Sequence, residues 1–400
     1  MHWTSAASTS HTFESALEDV ASRVEETLGG ASPDLLAVYV SPAFRESYLR
    51  VSAWLRARFE GVTQLGCSAS GVIGGGRELE QTPGVALTAA VLPDVALRCF
   101  HVDAGALKRW AEQPAKIDED LGPISELGEA PAGLILHPDP ASCDIPALLG
   151  ALDERYPETT IIGGAASGGN RPGHNALYAG GRAHGTGVVG LALAGDIAIE
   201  SVVAQGCRPI GAPMFITRCE GNVIRELDGR SPVALVQELY EQLGPGDREL
   251  MRGSLFIGLV TDASSSRYGP GDFLVRSIIG FDPSSNALAI DARVAPGRVV
   301  QFHLRDRTTS ARDLEAHLDA RRESLAARPP AGAMLFSCLG RGKHLYGRPN
   351  HDSDVFRDRA GSVPLGGFFC NGEIGPVKRA THLHGYTSVF GLFSAREPAR

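Results

Sequence analysis

The fold prediction is decided by the segment Gly66-Cys67-Ser68-Ala69-Ser70-Gly71-Val72-Ile73-Gly74-Gly75-Gly76. It follows a short apolar run, Val62–Leu65, that is typical of a buried strand. Small residues directly after a strand let the backbone turn tightly and approach other groups closely. Comparable glycine-rich segments end two other units of the chain, so this segment marks a repeat.

Each repeat consists of an apolar strand, a second strand after intervening chain, and a glycine-rich loop, and a further apolar strand comes after the loop. A helix is predicted between the two strands in the first copy, at Arg45–Glu60, and in the second, at Ile145–Arg155. Leu255–Val260 is a candidate start of a degenerate fourth copy. The three full copies begin at Leu35–Val40, Leu134–Pro138 and Met334–Cys338, their loops are Gly66–Gly76, Gly163–Gly169 and Gly366–Gly375, and the strands after them are Val85–Val91, Val188–Ala194 and Thr387–Phe393.

Alternation of strands and helices predicts an α/β protein with layered architecture. The segments Val202–Glu220 and Arg276–Leu304 are rich in strand signals, which favours mixed sheets over a purely parallel one. A helix is predicted from Pro232, with Ser231 as its N-cap. We therefore expect two domains, at residues 13–225 and 226–395.

Composition narrows the classes of partner. The chain has 400 residues with 48 glycines and a net charge of −8, and it has no run of basic residues, so nucleic acid and anionic membranes are not expected partners. No apolar run has the length of a membrane span, and residues 1–12 carry no signal-peptide pattern. Seven scattered cysteines favour thiols in a reducing compartment, so we expect a cytoplasmic protein.

Several familiar motifs match only in part. Gly185–Gly190 has the letters of a dinucleotide loop but runs straight into an aliphatic strand, and the Gly66 loop lacks the lysine of a phosphate loop. The histidines and acids of 344–354 and 382–384 lack helical metal spacing. We therefore expect no cofactor and no metal ion.

The segment Ser337–Gly342 is the strongest candidate for ligand binding. A strand that ends in a glycine-flanked arginine places backbone N–H groups and a guanidinium at one edge of a sheet, which suits a carboxylate or a phosphate. Glu373 lies between Gly372 and Ile374 and could accept from an ammonium group. In the alternative interpretation, Arg341 only pairs with Glu373 or with a surface acid.

Two nucleophiles give a second alternative. Ser68 departs from the nucleophile-elbow pattern at its last position, and a hydrolase would need a nearby histidine and carboxylate. Cys338 would be reactive if it were partly exposed beside Arg341. We assign no catalytic residue, and the predicted ligand-binding residues are Cys67, Ser68, Cys338, Gly340, Arg341, Asn371, Gly372 and Glu373.

These motifs together resemble a known family. The N-terminal half resembles a FIST N domain, and the C-terminal half resembles a FIST C domain, over about residues 13–395. The first loop has Val72 where the family often has glutamate, so the Gly-Glu-Ile triplet is complete only at residues 372–374. The stretches that carry the resemblance are Gln64–Gly74, Ile162–Ala166, Ala204–Gly211, Asn222–Pro232, Leu335–Gly342, Leu365–Pro376 and Leu383–Thr387.

The resemblance implies a sensory module of signal transduction for a small ligand, an amino acid being the usual suggestion, and a likeness to the substrate-recruiting region of some eukaryotic F-box proteins. We expect a non-enzymatic sensor in which Arg341 holds an acid group and Glu373 an amine, with output through a partner protein. The alternatives are a protein-interaction scaffold, and a hydrolase or thiol enzyme that uses Ser68 or Cys338.

Overall fold

A computed structural model describes residues 1–121, 130–261, 268–269, 271–282 and 285–396. The chain divides into two compact units. Unit 1 contains Met1–Val203, Glu315–Leu383 and Thr387–Arg400, and unit 2 contains Ala204–Leu314 and His384–Tyr386. Neither unit coincides with residues 13–225 or 226–395, because each unit contains segments from both sides of residue 225. The division into domains at 13–225 and 226–395 therefore stays a prediction.

Repeat 1 occupies the first 91 residues. Its first helix begins after Thr12, whose side chain accepts from the N–H of Ser15, and ends at Gly29 in the left-handed conformation. The helix predicted at Arg45–Glu60 is instead the second part of a 3-10 helix, Pro42–Arg50, followed by an α-helix, Val51–Arg58. Phe44 departs from helical dihedral angles within the 3-10 segment. The elements of repeat 1 are β1 (His2–Ser8), α1 (Phe13–Leu28), β2 (Leu35–Val40), α2 (Val51–Arg58), β3 (Thr63–Ser68), β4 (Gly71–Gly74), β5 (Arg77–Glu80) and β6 (Val85–Val91).

Repeat 2 has the same order of strands. The Gly185–Gly190 motif leads into a strand, as its aliphatic letters predict. The elements of repeat 2 are β7 (Val95–Val102), α3 (Ala104–Glu112), α4 (Lys116–Asp120), β8 (Gly133–Pro138), α5 (Ile145–Arg155), β9 (Thr160–Gly164), β10 (Leu177–Ala179), β11 (Arg182–His184) and β12 (Val188–Gly195).

Repeat 3 opens with β13 (Ala198–Ala204) and is interrupted in the chain by a closed six-stranded barrel in unit 2. The expectation of a fourth repeat at Leu255–Val260 is wrong, because this strand pairs antiparallel with both of its neighbours in the barrel. Ser231 caps the following helix as predicted. The barrel segment contains β14 (Cys207–Glu220), β15 (Val223–Leu227), α6 (Pro232–Gln242), α7 (Pro245–Ser254), β16 (Leu255–Val260), β17 (Phe273–Asp282), β18 (Ala287–Ile290) and β19 (Val299–Arg305).

After the barrel the chain completes repeat 3. The remaining elements are α8 (Arg307–Asp319), α9 (Arg322–Ala327), β20 (Gly332–Cys338), α10 (Gly342–Tyr346), α11 (His351–Ala360), β21 (Leu365–Cys370), β22 (Glu373–Val377), β23 (Ala380–His384) and β24 (Ser388–Ser394). The predicted α/β class with mixed sheets and repeated units is confirmed.

The three repeats form three six-stranded sheets by a cyclic exchange of hairpins. The strand orders are β1-β6-β2-β3-β10-β11, β7-β12-β8-β9-β22-β23 and β13-β24-β20-β21-β4-β5. Four strands of each sheet come from one repeat, and a hairpin from another repeat fills the remaining edge. Repeat 2 gives its hairpin to repeat 1, repeat 3 gives its hairpin to repeat 2, and repeat 1 gives its hairpin to repeat 3.

A glycine sits at the same position of the second parallel strand in every repeat. Gly66, Gly163 and Gly367 have φ values of 158°, 152° and 140°. A Cβ atom on them would lie 1.9, 2.0 and 1.9 Å from the carbonyl oxygens of Val38, Leu136 and Leu335, which are their register partners on the first parallel strand. The close approach of the two parallel strands therefore requires glycine at this position.

The residue after each of these carbonyls points into a core shared by the repeats. These residues are Tyr39, His137 and Phe336, and all three are fully buried. The Tyr39 ring stacks on Phe368 with centroids 4.7 Å apart, and the Tyr39 hydroxyl lies 3.2 Å from His137 Nε2. His137 also contacts Phe336 and Phe368 edge to face. Burial lowers the pKa of His137 to about 4, so its ring is neutral at physiological pH.

Replacement of Gly367 by alanine tests the strand contact. We expect Gly367→Ala to lower the free energy of unfolding by about 3 kcal/mol or more, because the added Cβ collides with backbone that cannot move away. Gly150→Ala is the control, since Gly150 lies in α5 with nothing within 4 Å of its ideal Cβ, and this change should be neutral or slightly stabilising. Urea unfolding of the two variants measures the difference. Equal midpoints would contradict the requirement for glycine at position 367.

His137 should make stability depend on pH. The unfolded chain binds a proton at His137 below about pH 6.5, whereas the folded chain does so only below about pH 4, so acid favours unfolding between these values. Over that window the wild type should lose about 3 kcal/mol through this group. His137→Gln, which keeps a hydrogen-bonding group near Tyr39, should lose correspondingly less, and His11→Gln, at an exposed position, should lose as much as the wild type. Urea unfolding at pH 4.5 and 7 would decide; parallel losses in all three proteins would refute the role of His137.

Candidate functional site

Arg341 lies in a turn at the carboxyl end of β20. The turn closes by a hydrogen bond of 2.8 Å from the Arg341 N–H to the Cys338 carbonyl, and Gly342 follows with a positive φ of 61°. This turn directs the guanidinium inward, and the side chain of Arg341 is fully buried. A buried arginine requires a partner of opposite charge.

That partner is Asp352, in the first turn of α11. Arg341 Nε donates to Asp352 Oδ2 at 2.8 Å, and Nη2 donates to Oδ1 at 3.1 Å. Nη2 also donates to the Tyr346 hydroxyl at 2.6 Å. Arg341 therefore forms an ion pair, as the alternative interpretation expects, but its partner is the buried Asp352 and not Glu373 or a surface acid.

Asp352 accepts further hydrogen bonds that fix its position. The hydroxyls of Ser337 and Ser388 donate to Oδ2, and His351 Nδ1 lies 2.9 Å from Oδ1. Burial disfavours the charge of Asp352, but Arg341 and these hydrogen bonds outweigh burial and hold the pKa of Asp352 well below its ordinary value. Burial likewise opposes the charge of Arg341, yet Asp352 keeps the pKa of Arg341 above its ordinary value.

A second acidic side chain reaches this cluster from repeat 1. Glu78, in β5, accepts from the N–H and hydroxyl of Ser353 at 2.7 and 2.8 Å, and its own N–H donates to Asn350 Oδ1 at 2.7 Å. Glu80, on the same face of β5, accepts from the Lys343 N–H at 2.9 Å. Two acidic side chains of repeat 1 thus accept from N–H groups in the first turns of α10 and α11 in repeat 3.

Two buried polar atoms of this cluster have no hydrogen-bond partner among the described residues. They are Nη1 of Arg341 and Oε2 of Glu78. Burial, followed by the charge of Asp352, raises the pKa of Glu78 to about 8, so Glu78 mostly carries its proton at neutral pH. The cluster formed by Arg341, Asp352 and Glu78 therefore retains unused hydrogen-bonding capacity.

Glu373 begins β22, three residues after the end of β21, and has its own contacts. Its Oε2 accepts from the Thr387 N–H at 3.1 Å, and the Cys370 thiol lies 3.4 Å from Oε1. Thr387 is the chain neighbour of Ser388, which holds Asp352. Arg341 and Glu373 are therefore attached, through different partners, to two consecutive residues of the chain.

The other predicted residues of repeat 3 surround this end of β20 and β21. Cys338 and Gly340 are partly exposed, and the Gly340 N–H lies 3.5 Å from Cys338 Sγ. Asn371 is exposed and Gly372 is partly exposed. The backbones of both residues bind Ala165 of repeat 2, at 3.0 Å through the Asn371 N–H and at 2.9 Å through the Gly372 carbonyl.

Cys67 and Ser68 lie in repeat 1, both completely buried. Burial raises the pKa of the Cys67 thiol well above its ordinary value. The Ser68 hydroxyl donates to Asn175 Oδ1 at 3.1 Å and accepts from the Ala176 N–H at 3.0 Å, and Asn175 donates to Asp139. An amide thus occupies the place at which a hydrolase would hold a histidine.

Hydrogen bonds join the glycine-rich loops of the three repeats. The Ser70 N–H and hydroxyl bind Ser167, at 2.9 Å to its side chain and 2.6 Å to its carbonyl. The Ser167 hydroxyl in turn donates to the Phe369 carbonyl at 2.5 Å. The glycine-rich loops of the three repeats therefore meet, with Ser167 as the central residue.

The sequence predicts neither Asp352 as the partner of Arg341 nor a role for Glu78. Asp352 stands out there only as a candidate metal ligand, and Glu78 lies in Arg77-Glu78-Leu79-Glu80, a short strand without a motif of its own.

The described part of the chain lacks the features of a metal site and of a membrane-spanning helix. Within the described residues, no group of three or more histidine, cysteine or acidic side chains is arranged to hold a metal ion. No described helix has the length and apolar character needed to cross a membrane.

Comparisons with known proteins cover nearly the whole chain. A model described as the FIST N domain matches residues 34–230, and one described as the FIST C domain matches residues 233–376. An uncharacterized protein of Mycobacterium tuberculosis strain H37Rv is 35% identical over 391 residues, which cover 96% of this chain and 98% of that protein. An uncharacterized Mycobacterium bovis protein is 33% identical over 386 residues, covering 94% and 95%. F-box only protein 22 of Pongo abelii is 28% identical over 142 residues, covering 30% of this chain and 35% of that protein.

Removal of the Asp352 charge should destabilise the fold strongly. Asp352→Asn leaves the Arg341 charge buried without compensation, so we expect a loss of about 3 to 5 kcal/mol in the free energy of unfolding. Asp354→Asn is the matched control on the same helix, because Asp354 pairs with Arg348 and Arg357 near the surface and should cost at most about 1 kcal/mol. Chemical denaturation at pH 7 measures both, and a small effect of Asp352→Asn would show that water reaches Arg341.

Proposed function

This chain belongs to the FIST family, whose domains are sensory domains of signal transduction, and on that premise we propose that it binds a small polar ligand, an amino acid in the first instance, and signals through a partner protein. The ligand binds where β20 and β21 end, among Cys338, Gly340, Arg341, Asn371, Gly372 and Glu373. The cytoplasm is the proposed compartment, and the seven cysteines support it because each is a thiol in the structure.

The observation that carries the proposal is the unsatisfied Nη1 of Arg341. A buried donor without a partner costs about 1 to 3 kcal/mol, which an acidic group of a ligand would offset. Asp352 already neutralises the guanidinium, so the ligand group adds a hydrogen bond and does not have to supply the whole counter-charge. The carboxyl ends of parallel strands are also the usual place for a ligand in an α/β sheet.

The two charged side chains are held by neighbouring residues. Asp352, the partner of Arg341, binds Ser388, and Glu373 binds Thr387. An amino acid carries one group for each of them, a carboxylate and an amine. In the proposal Arg341 therefore takes the acid group and Glu373 the amine, while Gly340 and Gly372 let the ligand approach the backbone.

Ser68 and Cys67 have a supporting role in this proposal. Their loop binds the Ser167 loop, which binds Phe369 next to the β21 end. A ligand that moved the end of β21 would therefore affect the loops of the other repeats as well. A signal of this kind requires the ligand to bind one arrangement of the loops more tightly than another.

Thermal unfolding in the presence of defined compounds tests the proposal. The probes are the common L-amino acids, each compared with the amine that lacks its carboxylate and the acid that lacks its amine. An amino acid at a hundred times its Kd should stabilise the folded chain by about 2.7 kcal/mol and raise the unfolding midpoint, and neither truncated compound should match it.

Arg341→Lys is the informative variant, because lysine can still pair with Asp352 but lacks the second terminal nitrogen. It should abolish the ligand-induced shift, whereas Arg359→Lys, at a paired arginine of α11, should not. Asn371→Ala, at an exposed position, should weaken ligand binding without loss of stability. It replaces Arg341→Lys in the test if that variant does not fold. The proposal fails if no probe raises the midpoint, or if Arg341→Lys and Asn371→Ala respond like the wild type.

A further inference from the structure

Two cysteines face each other at the ends of adjacent parallel strands. Cys338 ends β20, Cys370 ends β21, and the two residues are register partners. Neighbouring strands lie about 4.8 Å apart, and register partners point to the same face of a sheet. This separation falls within the range of about 4.4 to 6.8 Å between the Cα atoms of a disulfide. The Cys370 thiol also leans toward β20, since its sulfur lies 3.4 Å from the Ser337 carbonyl.

The two thiols have complementary surroundings. Cys338 is partly exposed, and it is close enough to Arg341 for the two to interact electrostatically. A guanidinium stabilises a neighbouring thiolate, which is the nucleophilic form. Cys370 is fully buried, and burial, followed by the charge of Glu373, raises the pKa of Cys370 well above its ordinary value. Cys338 is therefore the thiol that a reagent meets first, and Cys370 is held behind it as a thiol.

We propose that Cys338 and Cys370 are a redox-reactive pair that closes to a reversible disulfide when a hydroperoxide reaches Cys338. The Cys338 thiolate attacks the hydroperoxide ROOH, the O–O bond breaks, and the products are a sulfenic acid on Cys338 and, after protonation, ROH. The Cys370 sulfur then attacks the Cys338 sulfur, the S–O bond breaks, and hydroxide leaves as water with the proton that Cys370 gives up. A low-molecular-weight thiol restores both cysteines by exchange.

Glu373 is a positioning residue for the second step. Its Oε1 lies 3.4 Å from Cys370 Sγ and can take the proton of that thiol before it passes to the leaving oxygen. The Thr387 N–H holds the other oxygen of the carboxylate in place. Glu373 thus has a role in the redox reaction that needs no amine ligand. The disulfide can therefore form whether or not the chain binds an amino acid.

Cys67 is the competing partner for Cys370. It lies on β3 in a different sheet, and it is near enough to influence the charge state of Cys370. Cys67 is not a register partner of Cys370, and it is completely buried, so a hydroperoxide does not reach it directly. The test must therefore identify which sulfurs are joined as well as count the thiols lost.

The experiment treats the full chain with hydrogen peroxide in modest excess, blocks the remaining thiols, and maps peptides without reductant. Before the thiols are blocked, the intact mass should be lower by two hydrogen atoms. Peptide mapping should give one cross-linked pair that joins Cys338 to Cys370. Dithiothreitol should reverse the change completely. Cys338→Ser should prevent this change, whereas Cys99→Ser, at another partly buried cysteine, should leave it intact. Peptide mapping of the wild type needs no variant and remains decisive if a substitution impairs folding.

Glu373→Gln separates a role in proton transfer from a purely structural role. Glutamine can still accept from Thr387, so the unfolding midpoint should be close to that of the wild type. Disulfide closure should slow by about tenfold or more, and a sulfenic acid on Cys338, trapped with dimedone, should accumulate. The inference is overturned if the wild type keeps all seven thiols, if Cys370 pairs with Cys67 instead, or if Cys338→Ser still loses two hydrogen atoms. Closure at the wild-type rate in Glu373→Gln would remove Glu373 from the mechanism.

Discussion

The contact between a strand carbonyl and a glycine on the neighbouring parallel strand is the constraint on which unit 1 depends. It recurs in all three repeats, with Val38, Leu136 and Leu335 as the carbonyl residues. Because glycine has no Cβ, the two strands can come close together there, and the next residue of the first strand points into the shared core. The loops that follow the glycines are then brought near enough for Ser167 to join them.

Polar groups, as well as apolar packing, hold the repeats together. The hairpin of repeat 1 brings Glu78 and Glu80 to N–H groups at the starts of two helices in repeat 3, where backbone donors are not used within the helices. The buried pair of Arg341 and Asp352 lies directly beside this contact. A buried ion pair adds little net stability because both charges lose their hydration, so its main effect is to fix the position of the turn that carries Arg341.

The sequence predicts local features well and long-range partners poorly. Glycine spacing and apolar runs indicate the repeats, and Ser231-Pro232 marks a helix start, because these signals act within a few residues. The hairpin exchange leaves no such signal, because a hairpin looks the same whichever sheet edge it joins. Arg341 was recognised from its flanking glycines, whereas Glu78 lies hundreds of residues away in the chain. The expectation of a fourth copy at Leu255–Val260 is wrong because the sequence of an apolar strand does not show whether its neighbours run parallel or antiparallel to it.

The cyclic exchange of hairpins leaves strand edges unpaired while the chain is being synthesised. β4 and β5 leave the ribosome early, but their partner strand β21 is made only near the end, tens of seconds later at about 5 to 20 residues per second. Until then the first hairpin has no sheet to join, and the sheet of repeat 2 still lacks the hairpin of repeat 3, β22 and β23, which is made after β21. Nascent chains therefore carry open strand edges for most of translation, which is the period in which pairing with a neighbouring chain competes with correct folding.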